Sequence, residues 1–252
     1  MSKDSQRREL LKGLLAFGCG YCISSETFSQ SSPPRKYCAH HPVPTDLNNL
    51  VALGEGGTRR LIELNSGSNT VVSYIEDERE RLARFYGVNA PIYFDVIDRY
   101  DAYMDIDRRF IGLGDAFIAA QAGKAMARVA GILAHEWGHV FQVVSGINRD
   151  LENIRQQSVK YVELHADYLA GAYIAWRQKY RVGTLSNVLE ELFFELGGRA
   201  ANSENYHGTA LERKFAFFQG HDDFAMLITN TTSTPAVKAA AMGLMYVKAN
   251  LR

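Results

Sequence analysis

Residues 135–139 read His-Glu-Trp-Gly-His, and Glu163 and Asp167 follow 24 and 28 positions after the second histidine. On a helix, residues four apart share a face, so His135 and His139 can each aim a ring nitrogen at one point. Zinc accepts such nitrogens at about 2.0–2.1 Å. Glu163, on a later element, is the candidate third ligand. Glu136 sits beside the metal rather than on it, where it can act as general base toward a zinc-bound water. Asp167, one helical turn past Glu163, is placed to accept a hydrogen bond from a ligating imidazole. The spacing predicts one zinc ion and a hydrolytic reaction.

A short motif alone is compatible with a structural helix carrying two satisfied histidines. Two neighbouring segments favour the metal reading. Ala125-Met-Ala-Arg-Val-Ala-Gly-Ile-Leu-Ala134 is the apolar helix pattern of a core-crossing segment. Glu163-Leu-His-Ala-Asp167 also reads as helix, which puts its two carboxylates on one face. His165, two residues from Glu163, then points elsewhere and is left out of the site. A metzincin needs glycine and histidine three and six residues past the second histidine; Gln142 and Ser145 stand there, which excludes that class.

With its glutamate ligand on a later helix, the chain resembles the bacterial neutral zinc metallopeptidases. The residues that carry the likeness are His135-Glu-Trp-Gly-His139-x-x-Gln142 and Glu163-x-x-Ala166-Asp167-x-x-Ala170-Gly171. It is also similar to the wider gluzincin group of HtpX-like membrane proteases and CAAX prenyl proteases. His207-Gly-Thr-Ala-Leu-Glu-Arg213 extends the likeness, with a histidine before glycine and an arginine six residues on. The resemblance spans about residues 70–220 and departs at His165, where those families more often carry Gln or Glu. It implies a zincin-like metallopeptidase domain with His135, His139 and Glu163 on zinc and Glu136 as catalytic base. It further implies that His207 donates to the oxyanion at the rim, with Tyr206 as a competing donor, and that Arg213 holds the loop or Asp167.

The N-terminus predicts a destination. Gln6-Arg7-Arg8-Glu9-Leu10-Leu11-Lys12 resembles a twin-arginine export signal, followed by an apolar stretch from Gly13 to Ile23. That stretch is too short for a stable span of about 20 residues. Cleavage after Ser29 or after Ser24 would leave a periplasmic or secreted enzyme that has passed through the twin-arginine export machinery. The expected layout is residues 1–29 signal, 30–69 linker and short helix, and 70–252 catalytic domain. Neither Cys19 nor Cys22 has a lipoprotein context. Only Cys38 survives cleavage, so no disulfide within one chain is expected.

The 252 residues carry 28 Lys and Arg against 28 Asp and Glu, which gives no argument for nucleic acid or an anionic membrane surface. The partner expected is a peptide or protein substrate. Cys38-Ala-His40-His41 offers a metal-like cluster without a further ligand, and Ser31 to Pro44 reads as linker.

A helix is expected over Asp46–Leu53 and another over Val71–Tyr86. Strands are expected over Ile92–Ile97, Ala102–Ile106 and Phe110–Gly114, the last two forming a hairpin. Phe110–Gly114 is expected at the sheet edge, where Gly112 and Gly114 would let a substrate backbone pair with it. Helices follow over about 122–145, 154–179 and 185–197. Thr209-Ala-Leu-Glu212 is a capping box, and Thr234-Pro235 opens the last helix. The fold class is α+β, mostly helical, with a small mixed sheet packed on the histidine-bearing helix. Two other functions use the same residues: a zinc hydrolase of non-protein, cell-wall amide bonds, and a non-catalytic zinc-stabilised binding protein.

Overall fold

The computed structural model describes residues 36–37, 50–53, 68–95, 101–153, 159–178, 186–197, 207–226 and 235–250. Among the described residues the strands are β1 (Lys36–Tyr37), β2 (Leu50–Ala52), β3 (Ile92–Asp95), β4 (Ala102–Asp105) and β5 (Phe110–Gly114). The described helices are α1 (Ser68–Tyr86), α2 (Asp115–Lys124), α3 (Met126–Ser145), α4 (Ile147–Glu152), α5 (Lys160–Gln178), α6 (Ser186–Glu195), α7 (Ala210–Ala225) and α8 (Pro235–Ala249). The class is α+β and mostly helical, as the sequence predicts. None of the described helices is long and apolar enough to cross a membrane.

The sheet runs in the order β1-β4-β5-β3-β2 and is mixed. β4 and β5 form the expected antiparallel hairpin, with Tyr103 opposite Gly112, while β3 runs parallel to β5. β5 is therefore the central strand, and the expectation that Phe110–Gly114 forms a substrate-binding edge is wrong. Gly112 serves a different purpose: a Cβ there would lie 2.3 Å from the Tyr103 ring, so the glycine makes room for a buried side chain rather than for a ligand. The expected helix over Asp46–Leu53 is also corrected, because Leu50–Ala52 pairs antiparallel with Tyr93–Asp95. A three-residue apolar run gains more from completing the backbone hydrogen bonds of β3 than from a helix too short to nucleate. Lys36–Tyr37, inside the expected linker, pairs with Met104–Asp105.

α3 is the axis of the molecule, packed on β4 and β5 and crossed by α1, α5 and α6. It is buried from Arg128 through Gln142, consistent with the apolar run that precedes His135. The helix expected from about residue 122 is in fact two, because Ala125 is extended and separates α2 from α3. Gly146, at φ 78°, takes the left-handed conformation that ends α3. Trp137, fully buried, donates its indole N–H to Val88 O at 3.1 Å. Tyr86 donates to Ala134 O at 2.9 Å, one residue before the first histidine.

Two helix crossings set the position of α5. A Cβ on Gly138 would come 3.3 Å from Ala166 Cα, so the glycine between the two histidine turns lets α5 approach α3 closely. On its other side, a Cβ on Gly171 would meet Phe217 O at 1.9 Å, and one on Gly220 would meet Tyr168 O at 2.0 Å. α5 and α7 thus touch backbone to backbone. α7 begins with the predicted capping box: Thr209 Oγ1 accepts from Glu212 N–H, and Glu212 Oε2 accepts from Thr209 N–H. Such a cap stabilises a helix by about 1 kcal/mol.

Candidate metal centre

α3 presents His135, Glu136 and His139, and α5 presents Glu163 and Asp167 across the Gly138–Ala166 crossing. The exposed surface of each is at most 2 %. His135 Nε2 lies 3.1 Å from His139 Nε2 and 3.3 Å from Glu163 Oε2, and His139 Nε2 lies 3.5 Å from Glu163 Oε1. Ligands held about 2.0–2.1 Å from a tetrahedral ion stand about 3.3–3.4 Å apart. These separations, of which the two to Glu163 run to different carboxylate oxygens, lie near that value. One ligand atom from each residue lies within 4.8 Å of the others, so this buried His-His-Glu group can hold a metal ion.

The hydrogen bonds behind the ligands determine which nitrogen faces inward. His135 Nδ1 lies 2.7 Å from Asp167 Oδ1, and a carboxylate can only accept, so Nδ1 carries a proton. His139 Nδ1 lies 2.9 Å from Gln142 Oε1. The orientation of Gln142 is fixed by Val162, whose carbonyl oxygen accepts from Gln142 Nε2 at 2.8 Å. His139 Nδ1 is therefore a donor as well. In both neutral rings the Nε2 lone pair is left facing Glu163. Acceptor atoms so close together repel unless positive charge lies near them. Arg213, with Nη2 3.3 Å from His135 Nε2 and 3.7 Å from Glu163 Oε2, supplies part of it, and a proton or a metal ion can supply the rest.

The electrostatics describe the proton alternative. Burial lowers the His135 pKa, but Asp167 and Glu163 outweigh it and raise the value to about 9. Burial lowers His139 and leaves that ring neutral. Burial pushes Glu163 upward, yet His139 and His135 bring it well below the usual carboxylate range. Asp167 is also lowered, with Arg213 and His135 offsetting the effect of burial. Without a metal, the site is an imidazolium between two carboxylates. A metal ion can take the place of that proton against the same lone pairs.

Glu136 stands apart from this pairing. Its Oε2 is buried and finds no hydrogen-bond partner among the described residues. Burial is the main cause that raises its pKa to about 8, and the charges of Glu163 and Asp101 add to it. A carboxylate with this environment, adjacent to three converging ligand atoms, fits a bound ion and its water better than it fits a packed core.

Arg213 reaches in from α7. Its Nε and Nη2 donate to Asp167 Oδ2 and Oδ1, both at 2.8 Å, and its Nη1 donates to Leu196 O at 2.9 Å. It thus holds both Asp167 and the segment after α6. His207 is buried at 6 % exposure and close enough to Glu163 for its charge to lower that carboxylate's pKa. Gly208, at φ 96°, makes the turn from His207 into α7. Tyr206 and the Cys38-His40-His41 cluster lie outside the described residues, as does the whole N-terminal segment expected to be a signal.

Two residues do more at the site than their sequence context indicates. In the sequence, Gln142 serves to exclude metzincins and to extend the family motif, with no role of its own at the site, although its position three residues past His139 places it on the same face. His165, which helical geometry alone leaves out of the site, is fully buried, with Nδ1 at 2.9 Å from Gln142 Nε2 and Nε2 at 3.1 Å from Ala240 O. Nothing in the local sequence indicates that α8 lies there to meet it. No family model, curated protein or solved structure matches the chain.

Proposed function

We propose that this protein is a zinc-dependent metallopeptidase of gluzincin type, with a zincin-like catalytic domain. One observation carries the reading: the lone-pair atoms of His135, His139 and Glu163 converge within 3.5 Å beside the buried Oε2 of Glu136, which has no hydrogen-bond partner among the described residues. A closely spaced set of two imidazoles and one carboxylate would suit zinc better than calcium or magnesium, which take oxygen-rich shells.

Zinc, if held by His135, His139 and Glu163, would supply Lewis acidity and lower the pKa of a bound water. The chain's own groups do the rest. Glu136 accepts the proton of the attacking water at Oε2 and passes it to the departing amine. His207 donates a hydrogen bond toward the developing negative charge on the carbonyl oxygen. Asp167 keeps His135 in the Nδ1–H tautomer, and Arg213 keeps Asp167 in place. The substrate class is peptide or protein; a cell-wall amide would use the same groups. Arg7-Arg8 and the apolar stretch after them support export to the periplasm or beyond.

The burial of these side chains favours a second reading, in which the ion is structural and Glu136 is dispensable. Glu136→Gln separates the two. On a peptide library, the catalytic reading expects metal content unchanged and turnover abolished. Equal hydrolysis by wild type and variant, or none by either with zinc bound and purified peptidoglycan also uncleaved, would end the catalytic reading.

A further inference from the structure

We propose that His165 is a positioning residue for the metal centre, which it ties through Gln142 to the backbone of α8. The inference rests on the metal reading above and assigns a role to residues which that reading leaves unused.

A chain of four hydrogen bonds carries it, and each bond fixes the direction of the next. The Val162 carbonyl can only accept, so Gln142 turns its amide nitrogen toward it at 2.8 Å. The second N–H of that nitrogen faces His165 Nδ1 at 2.9 Å. His165 Nδ1 must then accept, which places its proton on Nε2, where Ala240 O accepts at 3.1 Å. The amide oxygen of Gln142 is left facing His139 Nδ1 at 2.9 Å. Two backbone carbonyls, one on α5 and one on α8, thus dictate which nitrogen of His139 faces Glu163. Gln142 and His165 are both fully buried, so water does not substitute for a lost partner.

Packing holds the relay in register. Gly243, one turn past Ala240 on α8, faces the His165 ring: a Cβ there would lie 3.1 Å from His165 Cδ2 and 3.3 Å from Nε2. α8 therefore lies directly on the imidazole, and its docking is coupled to the orientation of a ligand on α3. A residue that only filled the core would need neither a polar ring nor this directional sequence of donors and acceptors. Outer partners of ligating histidines typically change metal affinity about 10- to 100-fold when removed.

The test uses the full chain, loaded with zinc and separately with cobalt(II). Three single variants are compared with wild type: His165→Leu, His165→Gln and Gln142→Leu, together with the double variant of the two leucines. Metal affinity by chelator competition and the visible spectrum of the cobalt form are the readouts. His165→Leu is expected to weaken binding by about 10-fold or more and to alter the cobalt spectrum. Glutamine at 165 can accept from Gln142 and donate to Ala240 O, so His165→Gln is expected to stay within about threefold of wild type. Because His165 acts through Gln142, the double variant should bind no more weakly than Gln142→Leu alone.

Additive losses in the double variant, or wild-type affinity and spectrum in His165→Leu, would overturn the proposal. If His165→Leu fails to fold, His165→Gln decides: a 10-fold loss there despite a native fold refutes the relay, and retained affinity and spectrum support it. A folded wild type that takes up neither metal removes the metal reading itself, an outcome distinct from any difference between variants.

Discussion

Arg213 grips Asp167 with two parallel hydrogen bonds of 2.8 Å each, and all three groups of the Arg213–Asp167–His135 line are buried. The pair joins α7 to α5 at the level of the first histidine, so one ion pair serves both the fold and the site. A buried pair is costly to break from one side, since the remaining charge stays in the interior without compensation.

Arg213→Ala is therefore expected to destabilise the metal-free protein by about 3–5 kcal/mol. Arg213→Lys recovers only part of this, because an ammonium cannot make the two-pronged contact. In Asp167→Ala/Arg213→Ala the two losses should fall well short of adding. Urea denaturation of wild type, Asp167→Ala and these three variants measures this, and a loss below about 1 kcal/mol for Arg213→Ala would show that the pair contributes little.

Metal removal gives a second prediction. The convergence of His135 Nε2, His139 Nε2 and Glu163 within 3.5 Å costs free energy that a bound ion recovers. Zinc at 100 times its dissociation constant stabilises by about 2.7 kcal/mol if it binds only the folded chain. For a domain of this size that corresponds to a rise in Tm of roughly 5–10 °C. Scanning calorimetry with zinc and with a chelator measures the difference. His139→Ala should abolish the shift, whereas Glu136→Gln should retain it, and a shift that survives His139→Ala would place the ion elsewhere.

The parts of the site legible in the sequence are those written at helical spacing. His135, Glu136 and His139 share one stretch of helix, and Glu163 and Asp167 share another, so their relative placement follows from 3.6 residues per turn. The capping box at Thr209 is just as local. What could not be read depends on tertiary neighbours. β5 looks like a free edge until β3 and β2, separated from it in sequence, pair on its far side. Gly112 looks like a ligand contact until Tyr103 occupies the space above it. His165 looks idle until α8, seventy-five residues on, presents the Ala240 carbonyl. Leu50–Ala52 has too few residues for its own periodicity to decide between strand and helix.

Close contact between α5 and α7 gives a third prediction. Gly171 faces Phe217 O and Gly220 faces Tyr168 O at separations that no Cβ can occupy. Since both obstacles are backbone, the helices must move apart to admit a methyl group, and overpacking of this kind costs typically about 1–3 kcal/mol and sometimes more. Gly171→Ala and Gly220→Ala are each expected at or above the top of that range. Gly123, near the end of α2, is the control, because a Cβ placed there would meet nothing within 4 Å. Gly123→Ala should be neutral or stabilise by up to about 1 kcal/mol through helix propensity. Equal effects at the three positions, measured by thermal denaturation, would refute the contact as the cause.

Alkaline pH should act on the core as well as on the site, where His135 and Glu136 titrate at about 9 and about 8. Tyr86 is fully buried and donates to Ala134 O at 2.9 Å; burial raises its pKa well above the ordinary 10.0. Tyr173 donates to the buried Glu78, and burial followed by that carboxylate's charge raises it too. In the folded chain both hydroxyls keep their protons as pH passes 10, whereas the unfolded chain begins to lose them. The unfolded state then binds fewer protons, so the contribution of these two tyrosines to stability is intact below about pH 10 and declines above it. Urea midpoints between about pH 8 and pH 11 should fall accordingly. Tyr86→Phe is expected to lose about 1 kcal/mol at pH 8 with its hydrogen bond, and to decline less steeply at more alkaline pH because one titrating group is gone. A decline as steep in Tyr86→Phe as in wild type would mean that this hydroxyl is not the group held protonated by the fold.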